Sequence, residues 1–588
     1  MCCFTPGCVD LSTISRNLGH MSTTTTSTSL SADRVLHGVP AVAGVQYAPV
    51  IRPGARPRPE AFPGDDVAEA DRPVEVRRLK AAAAAVAERL RERAAHATGV
   101  ASEVLATTAT LAQDRAWLGD AEKRINGGAP APRAVAGAVD KIADALAKAG
   151  DLMAERVTDL RDIRDRVIAE VSGLPEPGVP VPDRPSVLCA EDLAPVDTAG
   201  LDPALVVALA TSLGGPTSHT AIIARQLGIP CVVAVGGLDE VPAGVMVMVD
   251  GGLGTVTVAP DDATASAAVA ASRRDAEAAR SWIGPGATAD GHAVAILANV
   301  QDGAAARAAA ETAAEGVGLF RTELCFLNRD SEPSVDEQAR IYAEVLEAFD
   351  PSAKVVVRTL DAGSDKPLKF AGHADEANPA LGVRGIRISQ IDPGILTRQL
   401  QGIADAAART GTAPWVMAPM IATAAEAQAF AAEVRSFGLA PGVMIEVPAA
   451  ALLADRILAH VDFLSIGTND LTQYTMAADR MSADLATLTD PWQPAVLSLV
   501  ATAARAGAAA GKPVGVCGEA AADPALACVL VGLGVSSLSA AAAAVAAVGS
   551  KLSQVTLAQC RAAAEAALGA SSAADARTAA LGALADGE

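Results

Sequence analysis

The chain has 588 residues, 51% of them apolar and 20% charged, which specifies a folded protein of several domains and excludes a disordered one. Lys and Arg total 47 against 68 Asp and Glu, a net charge of −21 that argues against a nucleic-acid backbone as the main partner; it is compatible with a basic protein surface, but from charge alone ordinary acidic solubility is the favoured reading. No apolar run reaches the ~18 residues of a spanning helix, so no membrane insertion is expected.

The nine cysteines are odd in number and scattered, which fits reduced thiols and a cytoplasmic location. Residues 1–32 read as a disordered leader, with Met21 as an alternative start, and are set apart from the fold. Residues 33–260 read as a small α/β domain that carries a helical bundle at about 66–172. In the bundle, Val76, Leu79, Ala83, Val86 and Leu90 recur at spacings of three and four, as do Met153, Val157, Leu160, Val167 and Val171. That spacing lays one apolar stripe along each helix, and the NGGAPAP stretch at 126–132 breaks the run into antiparallel halves of about four helices.

A Pro-rich segment at 173–185 leaves the bundle. Five short apolar runs follow (SVLC, LVVALAT, CVVAV, VMVMVD and TVTV), with one helix at 218–227 among them. Residues 261–285 read as a helical linker. From 286 to 588 strand-like and helical stretches alternate. Eight runs are candidate strands: AVAILANV, GVGLFRTE, KVVVRTLDA, GVRGIRIS, WVMAPMI, VMIEVPAA, FLSIGTND and PVGVCGE. Alternation implies parallel strands, and eight of them predict a (β/α)8 TIM barrel.

Two groups of residues carry chemistry. The first is TSLGGPTSHTAIIARQLGIP at 211–230. Gly214 and Gly215 permit a tight turn, Thr217 or Ser218 can cap the following helix, and His219 falls in its first turn. The free N–H groups and positive dipole end there favour an anion, and a neutral imidazole is a competent nucleophile toward phosphorus.

The second group lies at predicted strand ends, where such barrels keep their chemistry. Arg321 follows GVGLF and Arg358 follows KVVV, while Arg384 lies in NPALGVRGIR. Glu446 follows VMI, Asn469 and Asp470 follow FLSIGT, and Arg480 closes TQYTMAADR beyond the seventh predicted strand. Cys517 follows PVGV at the predicted eighth. Taken singly, each could be a loop residue, a salt-bridge partner or core packing. Together they suit a phosphorylated carboxylate: guanidinium forks bind its anionic groups, and Glu446 and Asp470 offer oxygen ligands for a hard divalent cation. An enolate left by departing phosphate needs a proton, and Cys517 is placed to give one.

GGPTSHTAIIARQLGIP resembles the phosphohistidine signature of Enzyme I of the bacterial phosphoenolpyruvate-dependent sugar phosphotransferase system. Pyruvate phosphate dikinase and phosphoenolpyruvate synthase carry a similar signature; Pro216 stands where the Enzyme I pattern often has Arg. GVGLFRTELCFLNRDSEPS, RTLDAGSDKPLKF, NPALGVRGIRISQ, VMIEVPAA, FLSIGTNDLTQYTMAADR and PVGVCGEAAADP extend the resemblance over nearly the whole chain after residue 30.

The resemblance implies a relay. His219 would take the phosphoryl group of phosphoenolpyruvate, releasing pyruvate, and pass it to a histidine of the carrier HPr docked on the bundle, the first step of sugar uptake. It further implies that Arg321, Arg358, Arg384, Asn469 and Arg480 bind substrate, that Glu446 and Asp470 hold Mg2+, and that Cys517 is the proton donor. A homodimer formed through the barrel is also implied. A dikinase or synthase would need a large ATP-binding domain ahead of the histidine, whereas about 185 mostly helical residues stand there without a Gly-rich nucleotide loop. A catalytically silent regulator would not need the strand-end set.

Overall fold

The computed structural model describes residues 34–585 apart from 55–56, 58–65, 97–99, 148–153, 194, 199–200, 216–217, 328, 364–367, 369, 371–375, 481, 483–484 and 486. The expected leader, residues 1–32, lies outside the described residues, as do Pro216 and Thr217.

Three strands open the chain: β1 (Arg34–His37), β2 (Val39–Val42) and β3 (Val45–Ile51). The chain then leaves the sheet to build the bundle from helices Arg72–His96, Val100–Leu111, Arg115–Asn126, Ala131–Ala147 and Ala154–Ser172, five where the sequence suggests about four. The apolar stripes meet in one core around Leu79, Val86, Trp117, Ile125, Val139 and Val167. It returns as β4 (Ser186–Ala190), β5 (Val206–Thr211), β6 (Cys231–Val233), β7 (Met246–Asp250) and β8 (Thr255–Val258). These join the first three strands in an eight-stranded sheet of order β1-β8-β7-β3-β4-β5-β6-β2. The bundle is therefore an insertion between the parallel neighbours β3 and β4.

The Pro-rich segment is fastened to the bundle near its start. Glu176 accepts from Arg166 Nη1 and from Arg89 Nε, each at 2.6 Å. Fully buried Arg166 also binds Asp162 at 2.6 Å within its own helix and Asp197 at 3.0 Å in the α/β domain. A buried guanidinium is tolerated only when paired, and three carboxylates surround this one.

Helix Asp262–Ser281 bridges the two halves of the chain. Its Asp262 receives the Tyr47 hydroxyl, its Ser272 Oγ accepts from Val45 N at 3.0 Å, and Trp282 just beyond it packs on the barrel side.

The second half is a closed parallel barrel of β9 (Ala295–Val300), β10 (Gly316–Arg321), β11 (Lys354–Arg358), β12 (Trp415–Ala418), β13 (Ala440–Ile445), β14 (Phe463–Ile466), β15 (Val514–Val516) and β16 (Ser537–Ala541). Seven of the eight expected runs are strands. The run GVRGIRIS is not: it forms a short turn at Gly385–Arg387 and a helical turn at Ile388–Ile391, with Gly385 at φ 59°. That left-handed conformation interrupts any strand.

The closing strand is instead β16, whose short sequence SLSAA has no β-branched residue and runs directly into the Ala-rich helix after it. Cys517 consequently ends the seventh strand, not the eighth, while Asn469, Asp470 and Arg480 follow the sixth.

Candidate active site

The helix His219–Leu227 begins with Ser218 as its cap: Ser218 Oγ accepts from Ala221 N at 3.3 Å, and Gly228 closes the other end in the left-handed conformation. Of the two caps the sequence allows, Ser218 makes the bond. Gly214, Gly215 and Ser218 line a cleft of about 1540 Å3 whose opposite wall is the C-terminal end of the barrel. The start of the histidine-bearing helix thus faces the strand-end residues.

Arg321 and Arg358 stand side by side, in register at the ends of β10 and β11. Arg358 is buried: its Nη2 donates to Glu323 Oε1 at 2.7 Å, its Nη1 lies 3.2 Å from Asp361 Oδ2, and its buried Nε has no partner among the described residues. Arg321 is exposed at the mouth, with no ion pair among the described residues. Arg384 reaches the same place from the Gly385 turn. It binds Asp361 at 3.0 Å through Nη2 and Asp470 at 3.1 Å through Nη1, and is 1% exposed.

Asp470 and Asn469 occupy the first turn of helix Thr468–Met476. Asp470 Oδ2 accepts from Arg480 Nη1 at 3.3 Å, and Asn469 Oδ1 accepts from Glu519 N at 2.9 Å. Glu446 follows β13, fully buried. Its Oε1 accepts from the backbone N of Met420 at 2.6 Å, a residue held at φ 60°. Burial first, then the charges of Asp361 and Asp470, push Glu446 well above the usual carboxylate range; Arg358 opposes this. A buried carboxylate crowded by two others is relieved by a cation.

Cys517 is 2% exposed, and its Sγ donates to Ile466 O at 3.6 Å. Burial pushes its thiol up, partly offset by a hydrogen bond with Ser465 and the charge of Arg358, so at neutral pH it holds its proton.

Eight of the nine residues singled out in the sequence, all except His219, come together at the mouth by these contacts or by lining the cleft. Three others belong to the same network. Asp361 bridges Arg358 and Arg384, and Glu323 accepts from Arg358 and from Asp361 N. The Tyr474 hydroxyl donates to Ala380 O and accepts from Arg384 Nη1 at 3.4 Å. The sequence signals for Asp361 and Glu323 are their places three and two residues past the strand-end arginines.

Among the described residues no group of three or more His, Cys, Asp or Glu is arranged as a complete metal cage. Glu446 and Asp470 still fit one hard divalent ion. Mg2+ commonly takes only one or two carboxylates and completes its shell with substrate oxygens and water. No helix among the described residues is long and apolar enough to cross a membrane.

Comparison with known proteins agrees with this architecture. Residues 275–557 match the PEP-binding domain of PEP-utilising enzymes, 182–254 their mobile domain and 37–156 their N-terminal domain. The phosphoenolpyruvate-protein phosphotransferase of Streptomyces coelicolor is 50% identical over 564 residues, covering 95% of this chain and 99% of that protein. The protein of the same name from Haloferax volcanii is 42% identical over 440 residues, 71% of this chain and 75% of its own length. A multiphosphoryl transfer protein of Rhodobacter capsulatus is 44% identical over 439 residues, 72% of this chain and 53% of its own. The chain is thus an enzyme of phosphoenolpyruvate-dependent phosphoryl transfer in the phosphotransferase system and belongs to the phosphoenolpyruvate-protein phosphotransferase, or Enzyme I, family.

Proposed function

We propose that His219 accepts the phosphoryl group of phosphoenolpyruvate bound at the barrel mouth and passes it to a histidine of the carrier HPr. The observation that carries this reading is the single cleft shared by the start of helix His219–Leu227 and the arginine-rich barrel mouth.

In this reading Arg321, Arg358 and Arg480 bind the phosphoryl group, and Arg384 and Asn469 orient the rest of the substrate. Arg358 has an unused buried Nε donor for it. The Asp361, Glu323 and Asp470 carboxylates fix the guanidiniums beforehand, so little ordering remains when substrate binds. Glu446 and Asp470 would hold Mg2+, which would supply charge neutralisation for the substrate's oxygens.

His219 attacks phosphorus, and the enolate that departs receives the Cys517 proton on its methylene carbon to become pyruvate. A thiol kept protonated by burial suits that task. The phosphorylated helix start then turns toward HPr on the helical bundle, with helix Asp262–Ser281 as the pivot. Phosphate on the first turn is stabilised by the free N–H groups there.

The described cysteines are unbridged and buried, which suits the reducing cytoplasm. Leu381 and Leu452, 64% and 65% exposed, offer apolar surface for a homodimer through the barrel. The test is pyruvate release from phosphoenolpyruvate with Mg2+ and HPr. Cys517→Ala should slow pyruvate formation while leaving substrate binding largely intact. Normal turnover in that variant removes the proton-donor role.

A further inference from the structure

This inference rests on the proposed role of Cys517 as proton donor. Once the proton has gone to the enolate, the Cys517 sulfur, 2% exposed where it lines the cleft, must be reloaded before the next cycle. A route lies beneath it. Ser465, on β14, borders that thiol, and its hydroxyl lowers the Cys517 pKa against the effect of burial. Below that pair, inside the barrel, is a cavity of about 10 Å3 bordered by Ser465, Ser537, Ser539 and Lys354.

That volume is about one water, and three hydroxyls supply hydrogen-bond partners for it. Two glycines keep it open. A methyl group at Gly318 would lie 2.4 Å from Ser539 Oγ, and one at Gly515 would lie 2.5 Å from Ser537 Oγ.

Lys354 is the first residue of β11, at the N-terminal mouth of the barrel, and is half-buried. Its ammonium sits 4.3 Å from the Trp415 ring centroid and 5.8 Å from that of Phe463, and no carboxylate pairs with it among the described residues. It therefore faces the serine-lined cavity on one side and can reach solvent on the other. Burial pushes its pKa down to about 8, which leaves it charged at neutral pH and ready to release a proton.

We propose that Lys354 reloads Cys517 from the floor of the barrel, through a water in this cavity and the Ser465 hydroxyl. The S–H bond of Cys517 breaks as the enolate carbon gains its C–H bond. The thiolate takes the Ser465 proton, Ser465 takes one from the water, and the water takes one from the Lys354 ammonium. The neutral amine is then recharged by solvent at the N-terminal mouth. No electrons change hands, and one solvent proton enters for each pyruvate formed.

The test needs no carrier. Enzyme, Mg2+, phosphoenolpyruvate and carbon-labelled pyruvate are incubated in heavy water. Carbon exchange between pyruvate and phosphoenolpyruvate reports phosphoryl transfer and its reversal, and deuterium entering the methyl group reports exchange of the Cys517 proton with solvent. In Lys354→Met, Lys354→Arg and Ser465→Ala the ratio of deuterium entry to carbon exchange falls by about tenfold or more, below the ~100-fold that a positioned proton donor can contribute. The hydrogen taken from one pyruvate is then handed to the next.

Arginine keeps the charge over Trp415 but does not release a proton, so a purely structural role for Lys354 would be rescued by it. Each ratio is taken within one sample, so partial loss of folded protein leaves it unmoved. A wild-type ratio in the Lys354 and Ser465 variants overturns the proposal. Absence of carbon exchange in the wild-type enzyme overturns the phosphotransfer reading itself, and this proposal with it.

Discussion

Asp361 holds Arg384 with both carboxylate oxygens, Nη2 lying 3.3 Å from Oδ1 and 3.0 Å from Oδ2. The same Oδ2 is 3.2 Å from Arg358 Nη1, so one acid sets the spacing of two buried guanidiniums. Asp361→Asn keeps the shape and removes the charge. Glu323 and Asp470 remain as partners, so the loss should fall near the low end for a broken buried pair, roughly 3 kcal/mol. Urea unfolding reads that loss. KM for phosphoenolpyruvate should rise more than kcat falls, because the arginines still meet substrate but must be ordered by it.

The Lys354 ammonium gives a pH signature in stability. Burial lowers its folded pKa to about 8 from an ordinary 10.5, so the unfolded chain binds more protons between those values. Stability contributed by this residue therefore rises with pH across that window, and below about pH 8 the buried charge destabilises the fold. Lys354→Met should remove that rise and add roughly 2–3 kcal/mol near neutral pH. Urea midpoints of both proteins at the two ends of the window check this; parallel curves would contradict it.

Arg577, on helix Ala573–Ala585, ties the end of the barrel domain to the sheet of the α/β domain. Its Nη1 donates to Gly252 O at 3.0 Å, across the cleft, and its guanidinium lies 5.4 Å from the Trp492 ring centroid. Arg577→Ala should loosen the docked arrangement. Phosphoryl uptake from phosphoenolpyruvate should slow by about tenfold, equivalent to ~1.4 kcal/mol, and small-angle scattering should show a larger radius of gyration.

Much of the mouth is readable in the sequence because strand ends are marked by chemistry. Arg321, Arg358, Glu446 and Cys517 each end an apolar run with a polar or nucleophilic residue. Their convergence follows once the strands are parallel and closed. The strand count misleads at two places for the same reason. Short apolar runs carry little period, so GVRGIRIS passes for a strand until Gly385 turns left-handed, and SLSAA, without a β-branched residue, is not among the expected strands although it fills the gap between β15 and β9. Asp361 is only half legible for another reason: its place three residues past Arg358 is visible in the sequence, but its bridge to Arg384, 23 residues away, exists only once the fold brings that residue near.

The most direct measurement incubates the protein with phosphoenolpyruvate and Mg2+, without ATP, and locates phosphate by mass spectrometry of the intact chain and its peptides. One acid-labile phosphoryl group is expected, on the peptide that contains His219, and none in His219→Ala. An unmodified wild-type protein, a label that needs ATP, or a label that survives in His219→Ala would contradict that expectation.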